Sequence, residues 1–292
     1  MDKPSLIPSG PVEIEEEKIS FGRRLNEIPW WFVAIILIAV LATIIIATNP
    51  TYNEAFNFIK RGLSITVQVS LTSYGIALIL GLFTGLGRLS GNLVINNLAR
   101  LYVELIRGIP MLVLIFFIAL VGVPAVVNGL NSFGGWLDEK GLESMGNVFT
   151  AINNQNISMK TRAIIALAVT YGAYLAEIFR AGIQSIEHGQ MEAARSLGMS
   201  YGRAMRHIIL PQAVRNVLPA LGNDFVSMVK DSSLVSLLAV RDISQVARLH
   251  AGGTFRFRES YVTLSVMYLT MTVLLSLGVQ FLERRLRRNV RK

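Results

Sequence analysis

The sequence contains no cysteine, so disulfide bonds and thiolate metal sites are excluded. Its three histidines stand singly along the chain, which is typical of ordinary loop residues rather than of metal ligands. No Gly-x-x-x-x-Gly-Lys-Ser/Thr segment is present to bind nucleotide phosphates. No nucleophile and base stand out either. The sequence therefore predicts neither an enzyme nor a metal or cofactor bound by this chain.

Charge is also scarce. Only 16% of the 292 residues are charged and 52% are hydrophobic, whereas about a quarter of the residues of a soluble protein are charged. Several apolar runs reach the roughly 20 residues that a helix needs to cross a lipid bilayer. The net charge of +9 resides beside the ends of these runs rather than along one soluble face, so no nucleic-acid partner is predicted. The composition indicates an all-α integral membrane protein.

We predict six transmembrane helices. The first covers residues 30–48 and follows a polar tail, residues 1–29, whose length argues against a cleaved signal. The others cover about residues 62–89, 98–123, 161–186, 219–240 and 261–282, and Pro110 lies inside the third. Gly81 and Gly85 are four residues apart in the second span, which favours close packing against another helix.

Basic residues predict the orientation. The tail at residues 283–292 is rich in arginine, and positive charge favours the cytoplasmic side. With six spans, both termini are then cytoplasmic, residues 187–211 form a cytoplasmic loop, and residues 124–160 form an extracytoplasmic insertion. Arginines between residues 241 and 258 go against this rule, but they are outweighed by the other loops and tails.

The cytoplasmic loop contains the most informative pattern of the sequence. Apolar residues at helical spacing predict a short helix there, and Gly198 suits the left-handed conformation that ends a helix. We expect Pro211 to stop a second short helix. The first helix could enter a groove of a soluble partner and the second could transmit its displacement to the fifth span; the alternative is an amphipathic loop lying on the lipid surface. The positions of the pattern are Glu192, Ala193, Ala194, Gly198, Ile208, Leu210 and Pro211.

With this spacing the chain resembles the permease subunits of ATP-driven, binding-protein-dependent ABC importers. Their family mark is Glu-Ala-Ala, three residues, Gly, nine residues, Ile, one residue and Leu-Pro, and every fixed position is present. Residues 102–110, 172–182, 218–225 and 230–234 are similar to the polar amino-acid permeases, which serve histidine, glutamine, arginine and glutamate, although Ile109 stands where threonine is usual. The resemblance covers residues 62–282. It implies the five-helix core of a type I importer, to which residues 30–48 add one helix.

The resemblance also implies a setting and partners. The chain would lie in the cytoplasmic (inner) membrane of a bacterium beside a second permease subunit, identical or related. Two ABC ATPase subunits, which hold ATP and Mg, would grip the 187–211 loop. An extracytoplasmic substrate-binding protein would deliver the amino acid.

The fifth span contains a polar stripe. Asn223, Ser227, Lys230 and Asp231 recur at helical spacing, and Asp224 flanks them. Because ionisable residues inside a membrane are costly, they suggest function, and a carboxylate and a cation would suit an amino-acid zwitterion. The stripe would line the substrate path; the alternative is that Lys230 and Asp231 pair with neighbouring helices and only hold the bundle together.

Three further pairs lie at helical spacing. Gln68 and Thr72 could line the path or serve helix packing. Glu104 with Arg107, and Glu177 with Arg180, are opposite charges three residues apart, which favours structural ion pairs.

We therefore expect a permease that moves polar amino acids by alternating access, driven by separate ATPase subunits. The rival class is an ion-coupled secondary transporter or channel for small polar solutes. It would use Asp224, Lys230 or Asp231 as a coupling site.

Overall fold

The structure is a computed structural model, and it describes residues 30–288. The predicted tail at residues 1–29 and the last four residues of the basic tail lie outside the described residues. Within the described range the chain is helical and has no strand, so the predicted all-α class is confirmed. The α-helices are α1 (Trp30–Thr48), α2 (Pro50–Ile59), α3 (Leu63–Arg88), α4 (Leu93–Gly108), α5 (Met111–Phe117), α6 (Val123–Glu139), α7 (Glu143–Thr150), α8 (Met159–Gln184), α9 (His188–Ser196), α10 (Tyr201–Ala204), α11 (Leu210–Asp231), α12 (Ile243–Thr254) and α13 (Phe257–Arg288).

Four helical stretches of the described chain are long and apolar enough to cross a membrane: Pro50–Arg88, Met111–Glu139, Met159–Gln184 and Phe257–Arg285. Val33–Thr48, inside α1, is a shorter apolar helix. The predicted span at residues 219–240 falls in α11 and the 3₁₀ turn after it, Ser232–Leu238. It is not among the four, so the number of six spans stays a prediction.

The chain from α4 to α5 rises from one end of the bundle to the other. Near the start of α4, the Asn96 side chain donates to the Arg88 carbonyl at 2.6 Å, at the end of α3. Tyr102 donates to the Val169 carbonyl halfway along α8. By Ala119 the chain has reached the first turn of α8. Pro110 separates α4 from α5, because the proline ring is incompatible with a continuation of the preceding helix.

Two other prolines, expected at the boundaries of helices, lie within continuous helical structure. Pro211 is the second residue of α11, directly after the π turn Met205–Ile209, and it stops no helix. Pro219 lies inside α11, which starts nine residues before it, so the helix that contains the predicted fifth span begins before Pro219. Helical structure runs from Tyr201 through the π turn Met205–Ile209 to Asp231 without a break.

The core of the bundle is the contact between α3 and α8. A Cβ at Gly81 would lie 2.6 Å from the Leu175 Cβ, and a Cβ at Gly85 would lie 2.8 Å from the Ala176 carbonyl oxygen. Only glycine allows the two helices to approach so closely. The close packing predicted from these two glycines is therefore confirmed.

The end of the bundle where α3 begins is closed by α2 and α12. The backbone N–H of Ile243 donates to the buried Thr66 hydroxyl at 3.1 Å. Arg256, just after α12, forms an ion pair with Glu54 of α2 at 2.5 Å. At the other end lie the segment from α9 to α10 and the start of α11. The two candidate functional features of the chain thus occupy different parts of one helix system: the α9 segment at one end and the α11 stripe inside the bundle.

Candidate functional site

Helix α9 ends in a defined turn. Gly198 has φ +81°, the Met199 N–H donates to the Ala194 carbonyl at 3.1 Å, and the Gly198 N–H donates to the Arg195 carbonyl at 3.0 Å. This pair of bonds is the Schellman motif, which needs a left-handed residue. The conformation expected of Gly198 is therefore present.

The side chains of α9 divide into a packed and an open set. Ala194 is buried against the rest of the segment, whereas Glu192 and Ala193 are exposed. Leu197, at the end of the helix, is 84% exposed. A cavity of about 570 Å³ lies behind α9, between Met191, Met205 and the ends of α3 and α8. The helix thus shows solvent a small-residue face and a free leucine, which are features of a surface that receives a partner.

The later positions of the pattern lie in the π turn and at the start of α11. Ile209 is buried and Ile208 is half-buried, while Leu210 and Pro211 are exposed. Because the helix continues from here to Asp231, a displacement at α10 would be carried into the bundle. The stretch of 31 residues from Tyr201 to Asp231 is about 46 Å long at the usual rise per residue.

The stripe of α11 contains two carboxylates with different surroundings. The Tyr171 hydroxyl of α8 donates to the Asp231 Oδ2 at 2.6 Å. Asp224 is half-buried, and its Oδ2 has no hydrogen-bond partner in the described part of the chain. Tyr74 of α3 lies close by: its hydroxyl donates to the Leu221 carbonyl at 2.5 Å, and its ring packs on Phe225 with centroids 4.9 Å apart. One carboxylate is held by a tyrosine, and the other has a buried oxygen without a hydrogen-bond partner among the described residues.

The remaining members of the stripe are less enclosed. Asn223 and Lys230 are exposed and Ser227 is half-buried. The alternative that Lys230 and Asp231 pair with neighbouring helices and hold the bundle together finds a contact at Asp231, through Tyr171 of α8. Among the described residues, Lys230 has no such hydrogen bond or ion pair.

Gln68 and Thr72 lie near the start of α3. The Lys160 ammonium donates to the Gln68 Oε1 at 3.4 Å, and the Thr72 hydroxyl donates to the Gln68 carbonyl at 2.5 Å. Both side chains are exposed. They share no contact with Asp224 or Asp231 in the described structure.

Charges cluster where α3, α4 and α8 meet. Glu177 accepts from Arg88 at 2.5 Å and also forms an ion pair with Arg180, three residues along α8. Arg107 lies over the Tyr174 ring, 5.7 Å from its centroid. Arg107 forms no ion pair with Glu104 among the described residues. Glu104 is exposed, and the Arg107 guanidinium lies towards the Tyr174 ring and Glu177 instead.

Sequence reasoning missed Tyr171, Tyr74 and Arg88. Each acts through a partner far along the chain: Tyr171 and Asp231 are 60 residues apart, and Arg88 and Glu177 are 89 residues apart. The only signal available was the presence of polar aromatic residues within apolar spans, where a hydroxyl needs a hydrogen-bond partner.

Comparison with known proteins agrees with the resemblance. Residues 77–290 match the family described as binding-protein-dependent transport system inner membrane component. The chain is 34% identical over 236 residues to the probable glutamine ABC transporter permease protein GlnM of Bacillus subtilis, covering 81% of this chain and 96% of that protein. It is 31% identical to the arginine transport system permease protein ArgU of Corynebacterium glutamicum, covering 96% of this chain and 85% of that protein.

The solved structures give the same result. A crystal structure of an amino acid ABC transporter with histidines is similar with a TM-score of 0.64 and 35% identity, over 80% of this chain and 95% of that one. An inward-facing MetNI methionine ABC transporter shares the fold at 20% identity, with a TM-score of 0.55, over 80% of this chain and 96% of that one. The chain belongs to the family of binding-protein-dependent transport system inner membrane components.

Proposed function

We propose that this chain is the permease subunit of an ATP-driven importer that moves polar amino acids into a bacterial cell by alternating access. The observation that carries the proposal is the continuity of the helix from Tyr201 to Asp231, which starts beside the exposed helix α9 and ends at the carboxylates of α11. The resemblance to glutamine and arginine permeases supports the substrate class.

Helix α9 is the docking element for a separate ATPase subunit, which holds ATP and Mg. Glu192, Ala193 and Leu197 enter the groove of that subunit, and the Gly198 turn holds α9 against the start of the long helix. When ATP closes a pair of ATPase subunits, α9 moves and the long helix turns inside the bundle. The free energy comes from the different affinity of ATP for the two states.

The substrate path runs along α11. A zwitterionic amino acid has an ammonium group that needs a carboxylate partner. Asp224, whose Oδ2 has no hydrogen-bond partner among the described residues, and Asp231, which Tyr171 positions, are the two candidates. Asn223 and Lys230 are exposed in the single subunit, and a second permease subunit, identical or related, encloses them. Lys230 then faces the substrate carboxylate. Gln68 and Thr72 belong to the outer mouth of this path, and a substrate-binding protein delivers the amino acid there.

The test is reconstitution of the permease with its ATPase and binding-protein partners in proteoliposomes. Glu192→Ala is expected to weaken retention of the ATPase on the permease and to lower uptake. Gln190→Ala is the matched control, because Gln190 is an exposed residue of the same helix outside the family mark. Equal loss in both variants would remove the docking assignment.

The path is tested separately by Asp224→Asn and Asp231→Asn. Both variants are expected to keep the ATPase bound and to lose uptake or substrate affinity. Full uptake at unchanged affinity would contradict the path. Uptake by the permease alone, driven by a proton or sodium gradient, would contradict the whole proposal in favour of an ion-coupled transporter.

A further inference from the structure

The segment between α5 and α8 leaves the bundle and returns to it at one point. The Arg162 side chain, in the first turn of α8 and only 8% exposed, donates to the Ala119 carbonyl at 3.2 Å and to the Asn154 carbonyl at 2.7 Å. A third bond goes to the Ile157 carbonyl at 3.2 Å. At Ala119, in the π turn after α5, the chain has reached the first turn of α8. The residues between Ala119 and Asn154 therefore extend beyond this end of the bundle.

Helices α6 and α7 form an antiparallel pair in this excursion, here called the outer hairpin (residues 123–150). A Cβ at Gly134 would lie 2.8 Å from the Gly146 carbonyl oxygen, so the two helices touch through their backbones. The Asn154 side chain donates to the Asn128 Oδ1 at 2.8 Å and fixes the base of the pair. The outer hairpin is therefore a rigid unit and not an irregular loop.

One side of the outer hairpin is apolar and exposed. On α6, Val126, Phe133 and Trp136 share a helix face and are all exposed, Val126 by 63%. On α7 and just after it, Met145, Val148 and Ile152 recur at i, i+3 and i+7, and Val148 is 65% exposed. Polar exposed residues occupy other faces of the two helices: Asn128, Glu139, Glu143 and Asn147.

Aromatic contacts join the two apolar faces into a single surface. The Phe133 ring meets the Phe149 ring edge-on, with centroids 5.4 Å apart, and it stacks on Trp136 at 5.9 Å. The Lys140 ammonium lies 5.9 Å from the centre of the Trp136 ring. Tryptophan and lysine are both residues that favour the headgroup layer of a membrane.

Three occupants could cover this surface: lipid, a soluble binding protein, or a second copy of the chain. A substrate-binding protein binds reversibly, and while it is dissociated a continuous apolar surface would face water, which is unfavourable. Lipid is always present where the chain leaves the bilayer. A helix pair with one apolar side, a polar opposite side and a Trp–Lys pair also has the composition of an element that lies in the membrane surface.

We propose that the outer hairpin lies flat on the extracytoplasmic leaflet, with Phe133, Trp136, Met145 and Val148 inserted among the lipid headgroups and upper acyl chains. The π turn Ile118–Gly122 lies between α5 and the outer hairpin, and an inserted π turn is a common site of helix kinks. Arg162 holds the neck of the outer hairpin at the membrane boundary.

The experiment uses single cysteines in the full-length chain, which has no natural cysteine. Met145→Cys and Val148→Cys test the apolar face. Glu143→Cys and Asn147→Cys are matched controls, because both residues are exposed and lie four residues apart on the polar side of α7. Each variant is labelled with an environment-sensitive fluorophore and reconstituted in vesicles of phosphatidylethanolamine and phosphatidylglycerol, with and without phospholipids that carry a nitroxide near the headgroup.

The proposal predicts blue-shifted emission and strong quenching by the nitroxide lipids at 145 and 148, and water-like emission with weak quenching at 143 and 147. In a Trp30→Phe/Trp31→Phe chain, emission from Trp136 is expected to be quenched by the same lipids without any label. Water-like emission at all four positions would overturn the proposal. A blue shift that appears only after a substrate-binding protein is added would assign the surface to that protein, and energy transfer between labels on two chains would assign it to a second copy.

Discussion

The close contact between α3 and α8 predicts that alanine substitutions at two glycines of α3 change the stability of the protein in opposite directions. Gly81→Ala places a Cβ 2.6 Å from the Leu175 Cβ and 3.1 Å from the Gly172 carbonyl oxygen and the Ala176 nitrogen. Two of these neighbours are backbone atoms, so no side-chain rotation can make room and α8 has to move away from α3. Gly75→Ala, on the same helix, meets nothing within 4 Å.

The expected sizes follow from these distances. Overpacking of a close-packed contact costs about 1–3 kcal/mol, whereas replacing an unhindered helical glycine with alanine stabilises by about 0.5–1 kcal/mol. With a shift of about 2–4 °C per kcal/mol, Gly81→Ala lowers the unfolding temperature of the purified permease by several degrees and Gly75→Ala raises it slightly. Thermal unfolding in detergent, followed by intrinsic fluorescence, measures both. Equal stability of the two variants, or a more stable Gly81→Ala chain, would refute the reasoning that this contact is limited by the backbones.

Three further predictions concern the turn, the path and the outer end of the bundle. Gly198→Ala forces an alanine into a left-handed conformation at a cost of about 1–2 kcal/mol, so the ATPase is expected to bind up to about tenfold more weakly; Gly189→Ala, exposed and unhindered in α9, keeps wild-type affinity in the same titration. Tyr171→Phe removes the donor to Asp231 and is expected to destabilise the chain by about 1–3 kcal/mol; an unchanged unfolding temperature would show that the bond contributes nothing. Burial raises the pKa of Asp242 from its ordinary value of 3.8 to about 6, so its contribution to stability is greatest below pH 4 and falls as the pH rises towards 6. Asp242→Asn keeps the acceptor for the backbone N–H at the start of α12 and removes the charge. It is therefore expected to be more stable than the natural chain at pH 7, by no more than about 3 kcal/mol, and equal to it at pH 4; unfolding temperatures that differ by the same amount at both pH values would contradict this.

Sequence reasoning identified features that depend on local chemistry. Gly81 and Gly85 at a spacing of four, and Gly198 after a short helix, each solve a problem that only glycine solves, so their roles could be read without a partner. These are properties of a few neighbouring residues.

The features that were misread depend on tertiary context. Pro211 and Pro219 look like breakers, but one lies in the first turn of α11 and the other inside it, where surrounding groups can replace the lost backbone bond. The tyrosine that holds Asp231 comes from another helix, so no spacing rule could find it. Residues 124–160 were predicted as an insertion without further structure. Two amphipathic helices lie within it, and their shared apolar side depends on the contact between Gly134 and Gly146, which sequence spacing does not reveal.

The central claim is that ATP hydrolysis in a partner subunit drives amino-acid movement through this chain. The most direct test is uptake of labelled glutamine and arginine into proteoliposomes that contain the permease and its ATPase, with the loaded binding protein outside and ATP enclosed. The account predicts uptake that requires all three proteins and ATP, and that is reduced in Gly198→Ala with the carboxylates of α11 intact. Uptake that proceeds without ATP or the ATPase, under an ion gradient alone, would contradict it.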